Sequence, residues 1–249
     1  MIVFFTDFGV AGPYTGQMRA VLAREAPGVP VIDLFSDAPA FKARASAYLL
    51  AAYCTEFTPG TVFLCVVDPG VGGPQAAVAL EADGRWYVAP DNGLLSVAAR
   101  RAAVARWWRI TWRPENLSAS FHGRDLFAPV AARLALGQSL PGAPDDSREK
   151  IGGDWPDELA EIIYIDHYGN AMTGLRAANL GTGARLTVGG IGLARARTFS
   201  LAPARTFSDV PEGAAFWYEN ANGLAEIAVN GASAEKALGL SVGENVEVA

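Results

Sequence analysis

Short apolar runs recur through the first 140 residues: IVFFT (2–6), VPVIDLF (29–35), TVFLCVVD (61–68) and WYVAP (86–90). Runs this short and this continuous read as strands buried on both faces. The segments between them have helical character. Tyr14 to Glu25 follows Pro13, a good first-turn residue, and stops before Pro27. Ala43 to Phe57 is rich in Ala and Leu, and further helices are expected at 94–103 and from about Ala128 to Leu136. Strand and helix in alternation, with continuous apolar strands, predict a three-layer α/β domain around a largely parallel sheet.

The pattern breaks at SLPGAPDDSREKIGGDWPDE (139–158), which has three prolines, three glycines and eight charged residues. This stretch predicts a linker at 146–157 between a first domain at 1–145 and a second at 158–249. Beyond it, EIIYID, ARLTVGG, ARARTF, AAFWYEN, LAEIAVN and ENVEV are short strand-like pieces punctuated by Gly, Asn or Pro. They predict a small, mostly antiparallel β domain with one short helix near Ala232 to Leu238.

Composition narrows the function classes. The net charge is −6, and the densest basic window, Arg100 to Arg113, mixes five arginines with Trp107, Trp108, Ile110 and Trp112. It reads as a strand with one polar face, not as a track for a nucleic-acid backbone. Cys54 and Cys65 each lie in an apolar run and read as buried thiols of a reducing compartment. The start, MIVFFTDFG, lacks the basic region of a signal peptide, and no run approaches the ~20 apolar residues of a membrane span. The expectation is a cytoplasmic protein with no membrane or nucleic-acid partner.

Candidate chemistry gathers at strand ends, where open α/β sheets hold their functional residues. Asp7, Asp68 and Asp91 each follow a predicted strand and precede a glycine by two residues. Turn chemistry accounts for one such aspartate; three in one sheet mouth suggest a site or, alternatively, a magnesium-dependent phosphohydrolase. The loop VVDPGVGGPQ (66–75) does not read as a phosphate cradle, because an acid at its entrance repels phosphate. His122 and His167 fall in different domains and in no zinc-binding spacing, and no G-x-S-x-G is present. In SFHGRDLFAP (120–129), Pro129 predicts that helix begins only near Ala128, leaving His122 on irregular chain. Arg124 and Asp125 read as a structural pair, and a buried structural histidine is the alternative for His122. IDHYGN (165–170) repeats the strand-end formula, with a turn pair Asp166 and Asn170 as the plain account.

Taken in order, TDFG (6–9), IDL (32–34), VVDPGVG (66–72), PDNG (90–93), FHGRDLFAP (121–129), IDHYGN (165–170) and the tail from SDVPEG to EIAVN (208–230) carry a resemblance. The chain resembles the S-adenosyl-L-methionine (SAM) hydrolases, also called SAM hydroxide adenosyltransferases, which are related to fluorinating and chlorinating enzymes. The resemblance implies an α/β first domain and a β-barrel-like second one. It implies a homotrimer with active sites between subunits, and conversion of SAM and water to adenosine and L-methionine. It also implies residue roles. Asp7 would hold the ribose hydroxyls, and Asp68 with His122 would activate water. Asp166 would meet the methionine ammonium, and Asn170 and Asn230 would lie near adenine. Asn222 would lie near the methionine carboxylate, beside Ala221, where a serine is usual. Gln75 stands where an arginine commonly completes a trio with the Asp and His, and Gly12 where an acid is frequent. The leaving group is a neutral thioether, so no general acid, metal or redox cofactor is called for. An adenosyl-ligand binding or sensing protein, and a hydrolase of another adenosyl sulfonium, fit the same residues.

Overall fold

Two strands, β1 (Ile2–Thr6) and β3 (Val62–Val66), are fully buried and run parallel side by side, Ile2 opposite Val62 and Thr6 opposite Val66. This computed structural model describes residues 1–145, 151–196 and 210–249. On the other side of β1 lies β2 (Val31–Phe35), again parallel. The chain reaches β2 through α1 (Tyr14–Glu25) and returns to β3 through α2 (Ala43–Tyr53). Since β2 and β3 flank β1 on opposite sides, right-handed crossovers put the two helices on opposite faces. Ile2, Phe4, Val62 and Leu64 accordingly pack with Met18 and Leu22 of α1 and with Val130 and Leu134 of α4 (Ala128–Ala135). On the other face Phe5 meets Phe35, and Phe35 meets Tyr53 of α2, edge to face at 5.3 and 5.0 Å. The result is the expected three layers.

The sheet runs on from β3 through β5 (Arg85–Pro90), β4 (Ala77–Ala82), β6 (Ala105–Ile110) and β7 (Gly142–Pro144). The pairings from β2 to β5 are parallel and those from β5 to β7 antiparallel, so the sheet is mixed. The antiparallel half begins at a two-residue hairpin, where Asp83 (φ 48°) and Gly84 (φ 76°) both take left-handed angles. Asp-Gly is the strongest short-range hairpin signal. It flanks β4, a strand whose alanine-rich sequence hid it. Helix α3 (Ser96–Arg101) follows β5 and packs against α2.

The chain divides into two compact units, Met1–Trp155 and Pro156–Ala249. The division falls within the linker span 146–157 read from composition. Residues 146–150 of the expected linker lie outside the described residues. Ile151 and Trp155 pack on Gly93, and Arg100 donates to the Trp155 carbonyl at 2.8 Å. The one aromatic in a polar segment is what ties it down.

In the second unit, β12 (Ala215–Glu219), β13 (Leu224–Val229), β9 (Ala171–Arg176) and β8 (Leu159–Ile165) form one antiparallel sheet. A second sheet holds β11 (Ile191–Ala194), β10 (Arg185–Val188) and β14 (Glu247–Val248). Single bridges join their edges, Glu161 to Asn245 and Arg195 to Trp217, so the strands ring a common core in the barrel-like form expected. Helix α5 (Ala234–Leu238) is capped by Ser233 and ends at left-handed Gly239. The second half of the expected strand ARARTF and the start of the SDVPEG tail lie outside the described residues. Among the described residues no helix is long and apolar enough to cross a membrane.

Trp217 is fully buried in this core, and its indole N–H donates to the Ala184 carbonyl at 3.1 Å, tying β12 to the entrance of β10. Trp217→Phe is expected to destabilise the second unit by about 2–4 kcal/mol, from a cavity plus a carbonyl left without its donor. Denaturant unfolding followed by circular dichroism measures it.

Candidate active site

Neighbouring parallel strands place Asp7 and Asp68 together. Asp7 follows β1 directly, with its N–H directed to the Val66 carbonyl at 3.4 Å, and Asp68 lies two residues beyond β3. The chain leaves β1 towards β2 on one side and later enters β3 on the other. The two acids thus occupy the switch point where open sheets form their ligand crevice.

Each half-buried carboxylate has neutral donors. Phe41 gives its backbone N–H to Asp7 Oδ2 at 3.1 Å. Gln75 gives its side-chain amide to Asp68 Oδ1. Burial pushes both carboxyls above their usual range; these hydrogen bonds work against the rise, and at Asp68 the neighbouring negative Asp7 adds to it. Phe41 itself is strained, 76% exposed and at φ 62°, a backbone position that bulky residues rarely occupy.

The glycines after Asp68 serve close approach. Gly72 (φ 82°) lies so near the second loop that a Cβ there would sit 2.3 Å from the Ala119 carbonyl oxygen. Gly70 leaves room for the Gln75 side chain, whose Oε1 would be 3.0 Å from an added Cβ. The 68–75 loop is thereby folded back on itself and pressed against the segment that leads to His122.

That segment has its own brace. Arg124 donates to both oxygens of Asp125 (2.6 and 2.9 Å) and to Gln17 of α1 (2.9 Å), while Asp125 accepts the Ser118 N–H at 3.0 Å. The Arg124 guanidinium holds the Asp125 carboxyl below its usual range, which suits the structural pair read from sequence. Helical structure begins earlier than Pro129 implied. A π-helical turn spans Gly123–Phe127 and runs straight into α4, so His122 caps a helix instead of lying on irregular chain. Gly123 permits this, since an added Cβ would crowd Met18, Phe121 and Phe8 at 3.2–3.4 Å.

Asp7, Asp68 and His122 line one cavity of about 330 Å³. The rest of its wall is largely apolar and was not singled out from sequence: Phe8, Tyr14, Phe41, Val71 and Phe121, with Ser120. Phe121 meets Phe8 and Tyr14 edge to face at 5.9 and 5.4 Å. Phe8 and Phe121 adjoin motif residues and were findable on that ground; Phe41 had no such signal. Gln75 stands behind Asp68. Asp91 turns away and lines a separate small cavity with Trp107 and Ile151. Asn92 takes the place beside β3, donating to the Val67 carbonyl at 2.8 Å. The three strand-end aspartates therefore do not form one cluster, and among the described residues no group of three His, Cys, Asp or Glu could hold a metal ion.

In the second unit, Asp166 closes the β8–β9 turn. Its Oδ1 accepts the N–H groups of Tyr168 and Asn170 at 2.9 Å each, and its Oδ2 accepts the Asn170 side-chain amide at 3.1 Å. The register of Ile227 with Ala171 carries Asn230 towards this same turn, where its side chain donates to the Val210 carbonyl at 2.6 Å. Asn222 is at the opposite end of the strand pair, in the β12–β13 turn, with its N–H on Asn220 Oδ1 at 3.0 Å. The structure thus brings Asp166, Asn170 and Asn230 to one turn and carries Asn222 on the turn at the other end of β13, with Glu226 between the two.

Comparison with known proteins places these features. Residues 2–143 match the model of the SAM hydroxide adenosyltransferase N-terminal domain, and residues 160–247 that of the C-terminal domain. The (R)-S-adenosyl-L-methionine hydrolase of Thermus thermophilus is 40% identical, with 99% of this chain and 98% of that protein aligned. The hydrolase of the same name from Salinispora arenicola is 36% identical over 99% and 97%. A fluorinase from Nocardia brasiliensis is 25% identical over 100% and 96%. Among solved structures, an uncharacterized conserved protein from Thermotoga maritima superposes with a TM-score of 0.87 at 32% identity, covering 100% of both chains.

Gly72→Ala should drive the two loops apart and cost about 1–3 kcal/mol, combining left-handed strain with overpacking. Gly16 in α1 has nothing within 4 Å of its added Cβ, so Gly16→Ala is the control, expected neutral or stabilising. Thermal melts of the two variants separate these outcomes.

Proposed function

The chain belongs to the SAM hydroxide adenosyltransferase family, and from that premise we propose that it hydrolyses SAM to adenosine and L-methionine. The observation that carries the reading is the convergence of Asp7, Asp68 and His122 on one largely apolar cavity. Water attacks the ribose 5′ carbon in line with the carbon–sulfur bond. The bonding pair leaves with sulfur, the sulfonium becomes the neutral thioether of methionine, and the water gives up one proton. A neutral leaving group needs no acid, so the site must place the nucleophile and exclude other water.

In this reading Asp68 orients the attacking water and, with His122, draws its proton. Asp7 has two acceptor oxygens to share between two vicinal ribose hydroxyls and the Phe41 N–H. The aromatic wall supplies the apolar surface of a nucleoside site. Asp166 receives the substrate ammonium through charge-assisted hydrogen bonds, Asn170 and Asn230 lie near adenine, and Asn222 lies near the carboxylate. A homotrimer with sites completed by a neighbouring copy, metal-independent turnover and a cytoplasmic setting complete the proposal; the two buried free thiols, Cys54 and Cys65, suit a reducing compartment.

Gln75 is where this chain departs from the family pattern. Its amide fixes Asp68 but brings no positive charge, so nothing cationic offsets the burial of that carboxylate from this position. A protein that binds SAM with little turnover is the reading this observation favours second.

The test is to incubate purified protein with SAM and quantify adenosine and methionine by chromatography. Binding with no product above the spontaneous rate sinks the hydrolase. Asp68→Asn should lower kcat by about 10²-fold or more. The ionised form of Asp68 is the working one, and its pKa is raised by burial. The pH profile of kcat/KM should therefore carry a fall, as pH drops, at a higher pH than an ordinary carboxylate would dictate. Gln75→Arg should move that acid limb to lower pH and raise kcat by up to about ten-fold. An unmoved limb means that Asp68 does not set it.

A further inference from the structure

Glu226 is an acid where the strand pattern calls for none. It lies in β13, 2% exposed, in a row that crosses the four-stranded sheet from Tyr164 through Met172 and Glu226 to Tyr218. A carboxylate in such a place is costly unless hydrogen bonded. Both of its oxygens are: Tyr218 donates its hydroxyl to Oε1, and Asn220 donates its amide to Oε2 at 2.9 Å. Burial still holds the carboxyl above its usual range, and the negative charge of Asp166 adds to the rise.

The contact with Asn220 does more than satisfy Glu226. An ionised carboxylate only accepts, so it compels Asn220 to turn its NH₂ towards Glu226 and its oxygen the other way. That oxygen accepts the N–H groups of Asn222 and Leu224, at 3.0 Å each. The amide of Asn220 itself closes onto the Leu224 carbonyl at 2.9 Å, and Gly223 onto the Asn220 carbonyl at 3.0 Å. Two of these four hydrogen bonds in the β12–β13 turn depend on which way one side-chain amide points, and Glu226 sets that direction.

We propose that Glu226 is a positioning residue that, through Asn220, holds Asn222 for the amino-acid end of the substrate and so tunes recognition of that end rather than the chemistry at the 5′ carbon. The inference rests on the SAM reading above and assigns Glu226 no contact with the reacting atoms.

Glu226→Gln replaces the acceptor with a group that can offer N–H to Asn220 and lets its amide turn over. The variant is expected to raise KM for SAM roughly ten-fold while kcat stays within about two-fold, the loss of one charge-assisted hydrogen bond expressed in binding alone. Adenosine, which lacks the amino-acid end, should bind to wild type and variant equally by calorimetry. Asn220→Asp combined with Glu226→Gln reverses the donor and acceptor, keeps the charge, and should restore most of the loss. Asn222→Ala, on the turn itself, should give the same split without touching the buried acid. SAM and adenosine weakened alike would overturn the proposal. So would a lowered melting temperature with KM unchanged, a normal KM in Asn222→Ala, or a double variant no better than the single one. If wild type binds SAM without hydrolysing it, the hydrolase reading fails, and the same calorimetric comparison still decides the role of Glu226.

Discussion

Two carboxylates held at the ends of adjacent, fully buried parallel strands are the constraint around which the first unit is organised. Asp7 and Asp68 repel each other, and burial favours their neutral forms. Among the described residues neither has an arginine or lysine as a hydrogen-bond partner; the side-chain and long-range donors, the Phe41 N–H and the Gln75 amide, are both neutral. Neutral donors stabilise charge without cancelling it. The cavity therefore keeps a negative character, which favours a cationic ligand over a phosphate. The same electrostatics explains why the glycine-rich loop after Asp68 is no phosphate cradle despite its composition.

The second unit treats its acids differently. Asp166 is wrapped by its own turn, with two backbone N–H groups and the Asn170 amide on its oxygens. Glu226 is satisfied by two side chains from the neighbouring strand and its turn. These are rigid placements, suited to presenting fixed charge, while the first unit leaves its acids beside an open volume. In the proposed reaction that division is apt: Asp166 recognises a charge already present, while Asp68 acts on a proton that moves.

How much of this was legible depended on whether the signal was local. Buried parallel strands announce themselves as continuous apolar runs, and aspartates at their ends follow from position alone. The hairpin at Asp83 and Gly84 carried a strong turn signal, yet β4 is too rich in alanine to look like a strand. Asp91 shares the strand-end pattern of Asp7 and Asp68 but points elsewhere, because side-chain direction beyond a strand end is set by the turn that follows. Trp155 packs on Gly93 from a segment judged by its average polarity. Phe41 depends on a contact across 34 residues, and Glu226 on partners brought round a hairpin turn, neither of which the pattern of apolar and polar positions reveals.

Phe41 has a consequence for how such a site changes over time. Asp7 is held by the main chain of residue 41, not by its ring, and the backbone contact is blind to which side chain is attached. The aromatic surface at the cavity mouth can therefore drift from one side chain to another without loosening the acid behind it. The left-handed angle narrows the alphabet, admitting glycine and asparagine most readily and β-branched residues least. Anchoring by backbone and lining by side chain are separable here. Ligand preference at this edge is open to divergence while the acid-holding scaffold stays constant.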